Sequence, residues 1–421
     1  MRKFPTTFML SRFLIFAGMM IVTLLPSRLE SKVLRVGPSG EFARPCVAIA
    51  AAAAGDTIEV DSSIPYDGDV CAWKTDGLII RGVGAQRAVL NAAGKSSQGK
   101  AIWVIGAENT TIENMEFTGA KVPDQNGAGI RSEGANLTVR NCYFHDNEEG
   151  ILSGNDRQKS VVVEFSEFAR NGYEDGQAHN IYIGHAGKFI FRFNYSHHSI
   201  VGHLVKSRAA ENYILYNRLS DEATGTGSYE IDLPNGGKSF VIGNVIEQGP
   251  RTENNKILSY LEEGRSPANP QNLLFVVNNT FVNHHLTGEN MFIYVDPVDR
   301  IPAIIRNNIF YGPGVITNQQ NAILLSNFFS DPKFVDDLGY DYRVKKGSRV
   351  IGAGTEPSTG LDFSLRPEFQ YVHPACAEGR KADGEIDIGA YQFEGGTGVA
   401  PPNAPTRCAT GSSGQAGTGS A

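Results

Sequence analysis

Short apolar runs alternate with polar corners along this chain, and the runs keep a common phase. A unit recurs in which two or three apolar residues, a spacer and an asparagine are followed by a further apolar pair. It reads TIENMEF at Asn114, TVRNCYF at Asn141, YILYNRL at Asn217, FVIGNVI at Asn244, FVVNNTF at Asn279, AIIRNNIF at Asn308 and LLSNFF at Asn327. Weaker copies, VVEFSEF (Val162–Phe168) and FIFRFNYS (Phe189–Ser196), fill the gap between the second and third. The step is 27 residues from Asn114 to Asn141 and from Asn217 to Asn244, and 29 from Asn279 to Asn308. Between copies lie second strand-like pieces: AGIRS, EGILS, HNIYI, GHLVK, SYEIDL, KILSYL, MFIYV and GVIT. Runs this short, bounded by Gly and Asn, predict strands rather than helices. Self-similarity at this period predicts a solenoid, with coils about 4.8 Å apart. The repeated Asn suits a corner, because it tolerates left-handed backbone and its amide can bond to the equivalent Asn one coil away.

Outside the repeat the pattern changes. Pro45 and the alanine-rich run to Ala54, closed by Gly55, predict one helix that would cover the open end of the stack. Met1–Pro26 carries Arg2, Lys3 and Arg12 before the apolar run from Phe13 to Pro26, as a secretory signal does; an uncleaved membrane anchor is the alternative. The last stretch, Gly395–Ala421, is almost all small residues and is expected to be disordered. The domain reading is therefore a leader at 1–30, one all-β solenoid at 31–394 and a tail at 395–421.

Composition narrows the partners. The net charge of −7 argues against nucleic acid, and an acidic polymer would need local cations. The five cysteines show no zinc spacing. Export permits disulfides, and Cys46–Cys71 and Cys376–Cys408 are the expected pairs, with Cys142 a buried thiol. No cofactor motif is evident, and a divalent cation such as calcium stays open; the oligomeric state is not readable.

The repeat, together with the closing segments DPKFVDDLGYDYRVKKGSRVIGAG (Asp331–Gly354) and DGEIDIGAYQF (Asp383–Phe393), resembles the right-handed parallel β-helix, pectin-lyase-like superfamily across residues 33–394. That fold hosts lyases, hydrolases, epimerases, esterases and adhesins, so chemistry must be read from the site.

One segment is chemically dense. His179–Gly237 holds five of the nine histidines, the triplet Lys206–Arg208 and the run Tyr229–Asp232. Aligning the second strand of each coil on Ile151, Ile181, Leu204, Ile231 and Ile257 sends Asn180, His203, Glu230 and Lys256 outward, with Tyr182 and Asp232 beside them. Catalytic candidates are His203, Lys206, Arg208, Tyr229 and Asp232; substrate-binding candidates are Asn180, Tyr182, Glu230, Lys256 and Glu262. Cleavage of a uronate polymer by elimination needs a cation for the sugar carboxylate, a base for the C5 proton and an acid for the leaving oxygen. Lys206 and Arg208 suit the cation or base, His203 the base, and Tyr229 the acid; C5 epimerisation begins with the same step. VKSRAAENYILYN (Val205–Asn217) resembles the Lys-Ser…Asn…Asn block of chondroitinase-B-like and alginate lyases, which implies that Lys206 is the base. SHHSIVGH lacks their calcium-binding glutamates, and SYEIDLPNGG lacks their arginine. Tyr229 and Asp232 resemble the first half of the Tyr-x-x-Asp-Pro-His-Asp signature of mannuronan epimerases, from which Leu233 and Pro234 depart. Two other readings remain. A glycoside hydrolase would use Glu230, about 7 Å along the strand from Asp232, or Glu262. An adhesin-like surface protein would bind glycan without turnover. His145, His197, His198, His284 and His285 are expected to be solvated corner residues.

Overall fold

The computed structural model describes Met1 and residues 31–380 and 384–393. The leader and the disordered tail expected from the sequence lie outside the described residues, Met1 apart. The rest is a solenoid of parallel coils. Among the described residues, strands stack into three parallel sheets of twelve, nine and ten members. One coil shows the plan: Lys238–Ile242 enters the twelve-stranded sheet, Val245–Gln248 the nine-stranded and Lys256–Tyr260 the ten-stranded. The interior is apolar and aromatic, with Phe117, Phe144 and Phe168 stacked at centroid spacings of 4.9 and 5.0 Å, close to one coil rise.

The asparagine ladder forms, with a shift of one residue that explains how the corner works. Asn194, Asn217, Asn244, Asn279, Asn308 and Asn327 point inward, and each bonds to the next. Asn244 is typical: its Oδ1 accepts from the Asn217 backbone and amide N–H groups at 2.9 Å each, and its Nδ2 donates to the Ile214 carbonyl at 2.8 Å. The left-handed residue is the one before: Tyr216 (φ 57°), Asn278 (54°), Asn307 (56°) and Ser326 (52°). Of the seven motif asparagines, Asn114 and Asn141 alone occupy the left-handed position themselves, with φ of 55° and 50°. There the inward place falls to Met115 and Cys142, so the two halves of the motif series do not share one register. Replacing Asn244 by Ala should cost about 2–4 kcal/mol in denaturant unfolding, because it strands the buried Asn217 donors and Ile214 acceptor without their partner.

The helix spans Pro45–Ala51, three residues shorter than the alanine run suggested, with Pro45 in its first turn. Its Ala48 and Ile49 share the core with Val36, Ile58 and Val60, which closes the first coil. The Cys46–Cys71 disulfide ties it to the first strand of the ten-stranded sheet, and Cys142 is free and buried, as expected. Cys376 is disulfide-bonded, and its expected partner Cys408 lies outside the described residues. The C-terminal segment folds back along the seam between the twelve- and nine-stranded sheets. Phe369 sits edge-on to Phe193 and Tyr216 at 5.4 and 5.5 Å, and Gly389 donates to the Asn307 carbonyl at 2.8 Å. A Cβ at Gly389 (φ 98°) would lie 2.5 Å from Ile309, so the glycine of DIGAYQF is required.

Candidate active site

Hydrogen-bond register decides which residues share the outer wall of the ten-stranded sheet. Tyr182 pairs with Lys206, Lys206 with Asp232, Asp232 with Ser259 and Ser259 with Tyr294. The expected alignment is therefore off by one at two coils. Val205 rather than Leu204, and Leu258 rather than Ile257, stack with Ile231. Both coils offer two adjacent apolar residues, and both are buried in the core, the first of each pair in the corner that precedes the stacked position.

Two candidates leave the wall because they occupy the buried corner position before the strand, in line with Leu204 and Ile257 on neighbouring coils. Glu230 was expected outward, yet it is 0% exposed. Among the described residues, neither of its carboxylate oxygens meets a donor. Burial, then repulsion from Asp221 and Glu247, pushes its carboxyl well above the usual range. Asn180 is likewise fully buried. Its Oδ1 accepts from Asn171 at 3.0 Å and its Nδ2 donates to Ser196 at 3.0 Å, making it part of a second corner ladder and not a substrate ligand.

The other eight candidates come together. Asp232 Oδ2 is 3.3 Å from Lys206 Nζ and 3.4 Å from His203 Nε2. Arg208 forms a two-pronged pair with Glu263 at 2.7 and 2.8 Å, and contacts the Tyr182 hydroxyl and Asn235 Oδ1 at 2.6 Å each. Tyr229 donates its hydroxyl to Glu262 Oε2 at 2.9 Å, and Ser259 donates to the same oxygen at 2.8 Å. Lys256 bonds to Glu262 and lies 3.9 Å over the Tyr294 ring. The Lys206 ammonium lies 5.4 Å over the Tyr182 ring. Two aromatic faces thus flank a row of alternating charges.

Electrostatics assigns the protons. His203 was a candidate base, but burial, with Lys206 beside it, holds its imidazole neutral far below the usual histidine range. Its Nδ1 already accepts the Tyr229 backbone N–H at 3.2 Å, so its proton sits on Nε2, toward Asp232. Both nitrogens are used. In this arrangement neither ring nitrogen of His203 offers a free lone pair. Burial also raises Asp232, against the pull of Lys206, to about 6. Tyr229 is held protonated by burial and by Glu262. Burial works against ionisation of Glu262, but hydrogen bonds from Lys256, Ser259 and Tyr229 outweigh it and lower the carboxyl. Glu263 is lowered by its bond to Arg208.

Sequence reasoning missed His179, Asn235, Ser259 and Tyr294. His179 stacks on His203 at 4.5 Å, and its Nδ1 accepts the His203 backbone N–H at 3.0 Å. Ser259 and Tyr294 lie within the second-strand pieces KILSYL and MFIYV, and a correct register would have found them. The corner histidines are also less free than expected. His197 is buried with Nε2 3.2 Å from Glu167, and His284 sits 3.0 Å from Glu247.

Comparison with known proteins agrees with this architecture. The family described as "Right handed beta helix region" matches residues 76–174. No curated protein sequence matches the chain. Among solved structures, the pectate lyase Pel9A is similar over 86% of this chain and 96% of its own, with TM-score 0.59 and 16% identity. Looser likenesses are a pectin methylesterase from Aspergillus niger (TM-score 0.33, 11% identity, 74% of this chain and 90% of that one) and a mutant of the PL6 family alginate lyase AlyGC (0.31, 12%, 88% and 59%). At these identities the likeness establishes architecture alone: the chain has the right-handed parallel β-helix, pectin-lyase-like fold.

Proposed function

We propose that this chain is an exported carbohydrate-active protein that abstracts the C5 proton of a uronate residue in an acidic polysaccharide, as a lyase or an epimerase. The carrying observation is the pair Lys206 and Arg208. Two cations, 12% and 16% exposed, stand side by side above the Tyr182 ring with a protonated tyrosine one coil away. The Arg208 fork matches a sugar carboxylate and would stabilise the charge that develops when C5 loses its proton. Lys206 takes that proton as the free amine, having first lost its ammonium proton to solvent, and Asp232 behind it aligns the amine and balances the charge it gains. Tyr229 supplies the proton for the leaving oxygen, or for the opposite face of C5. Tyr182 and Tyr294 offer faces for sugar rings. The hydrolase reading loses its first carboxylate, because Glu230 is inside the solenoid. Export is supported by the Cys46–Cys71 disulfide, which fits an oxidising, extracytoplasmic compartment.

The test is a panel of alginate, pectate and glycosaminoglycans. Lyase activity is expected to produce absorbance at 235 nm from a new unsaturated bond, and epimerase activity a changed uronate composition without cleavage. Reducing ends without that absorbance would indicate hydrolysis and overturn the reading.

A further inference from the structure

Glu263 differs from every other charged group on this wall. Its side chain is 48% exposed, whereas that of Asp232, the other anion on Lys206, is 4% exposed. It chelates Arg208 through both oxygens and lies 3.7 Å from Lys206 Nζ. The Arg208 fork is held independently by Tyr182 and Asn235, both neutral. The loop backbone is fixed as well. Glu263 donates to the Pro234 carbonyl at 3.0 Å, Gly264 to Leu261 at 2.7 Å, and Asn235 to the Gly264 carbonyl at 3.1 Å. The cations and the loop backbone are held by these bonds, and the half-exposed part of the cradle is a glutamate side chain, of the kind that changes rotamer in nanoseconds.

We infer that Glu263 is a built-in stand-in for the substrate carboxylate, occupying the Arg208–Lys206 cradle until a uronate displaces it; this rests on the reading of the site as one for acidic sugars. The exchange trades one carboxylate for another, so the net charge of the cradle is unchanged when a uronate enters. A neutral or esterified sugar cannot make the trade and leaves Glu263 in place, since displacing it would leave the Arg208 charge with only neutral partners, Tyr182 and Asn235. Glu263 thus competes with the incoming free carboxylate and lowers its affinity, while keeping Arg208 and Lys206 paired when no substrate is bound.

The experiment is calorimetric titration of wild type, Glu263→Gln and Glu263→Ala with trigalacturonate, trimannuronate and their methyl esters. Each variant is first checked for an unchanged melting temperature. Removing the competing carboxylate should tighten binding of at least one free acid roughly three- to tenfold, the range of an exposed charge-assisted pair, and leave the ester unchanged or tighter by less. Equal or weaker binding of the free acids in both variants overturns the inference and makes Glu263 an anchor for Arg208. Tightening in the variants, with no 235 nm product or epimerised uronate from the wild type, would keep the stand-in and sink the proton-abstraction reading, so the two failures are distinguishable.

Discussion

Lys206→Ala should lower turnover of the responsive polymer by about 10²–10⁴-fold, the usual range for loss of a positioned proton-transfer group. Lys206→Arg separates charge from base. A guanidinium would still neutralise the sugar carboxylate but cannot give up its proton, so activity should stay near the alanine level. His203→Ala should cost less, about tenfold, because His203 touches Asp232 and not the substrate. The pH profile carries an independent signature. Asp232 sits at about 6, so activity should fall as pH drops through that value and Asp232 gains a proton, releasing Lys206. In Asp232→Asn the acid limb near pH 6 should vanish from what activity remains. If Lys206→Ala keeps more than a tenth of wild-type kcat/KM, the base is elsewhere.

Glu230→Gln should stabilise the protein more at pH 8 than at pH 5. Glu230 ionises near 4.5 in an unfolded chain and well above that when folded, because it is sealed beside Asp221 and Glu247. Asp221 behaves alike, moved by burial and by Glu247 from 3.8 to about 8. The folded protein therefore holds more protons than the unfolded one between these values. Stability is greatest at the acid end of that window and declines as pH rises through it, by up to about 1.4 kcal/mol per unit for each such group. Denaturant midpoints for the wild type and for Glu230→Gln, taken from pH 5 to 8, measure this directly, and the variant should show the shallower slope. A parallel pair of curves, or a loss of turnover with no change in stability, would return Glu230 to the working surface.

The contrast between these two residues shows what was legible. Lys206, Arg208, Tyr229 and Asp232 could be picked out because ionisable side chains crowd into one segment of an otherwise uniform repeat, and crowding survives an error of register. Glu230 sits in the same segment and was misplaced. A glutamate in a strand-like run is expected to face water, and only the packing of neighbouring coils shows that this one does not. His203 fails differently: it is in the right place, but its two nitrogens are spent on Tyr229 and Asp232, and no spacing rule reports a spent lone pair.

By itself the sequence determined the solenoid, the asparagine corners, the capping helix at Pro45 and the coil range in which ionisable side chains crowd. These follow from local periodicity and turn preference, which each coil repeats and so reinforces. The tertiary structure alone decided which of Leu204 or Val205, and which of Ile257 or Leu258, stacked with Ile231. In a strand of period two, one residue of slip exchanges the inner and outer faces, and adjacent apolar residues conceal the choice. That choice put Lys206 between Tyr182 and Asp232, and the packing of the corner before each strand, where Leu204 and Ile257 are also buried, closed Glu230 inside.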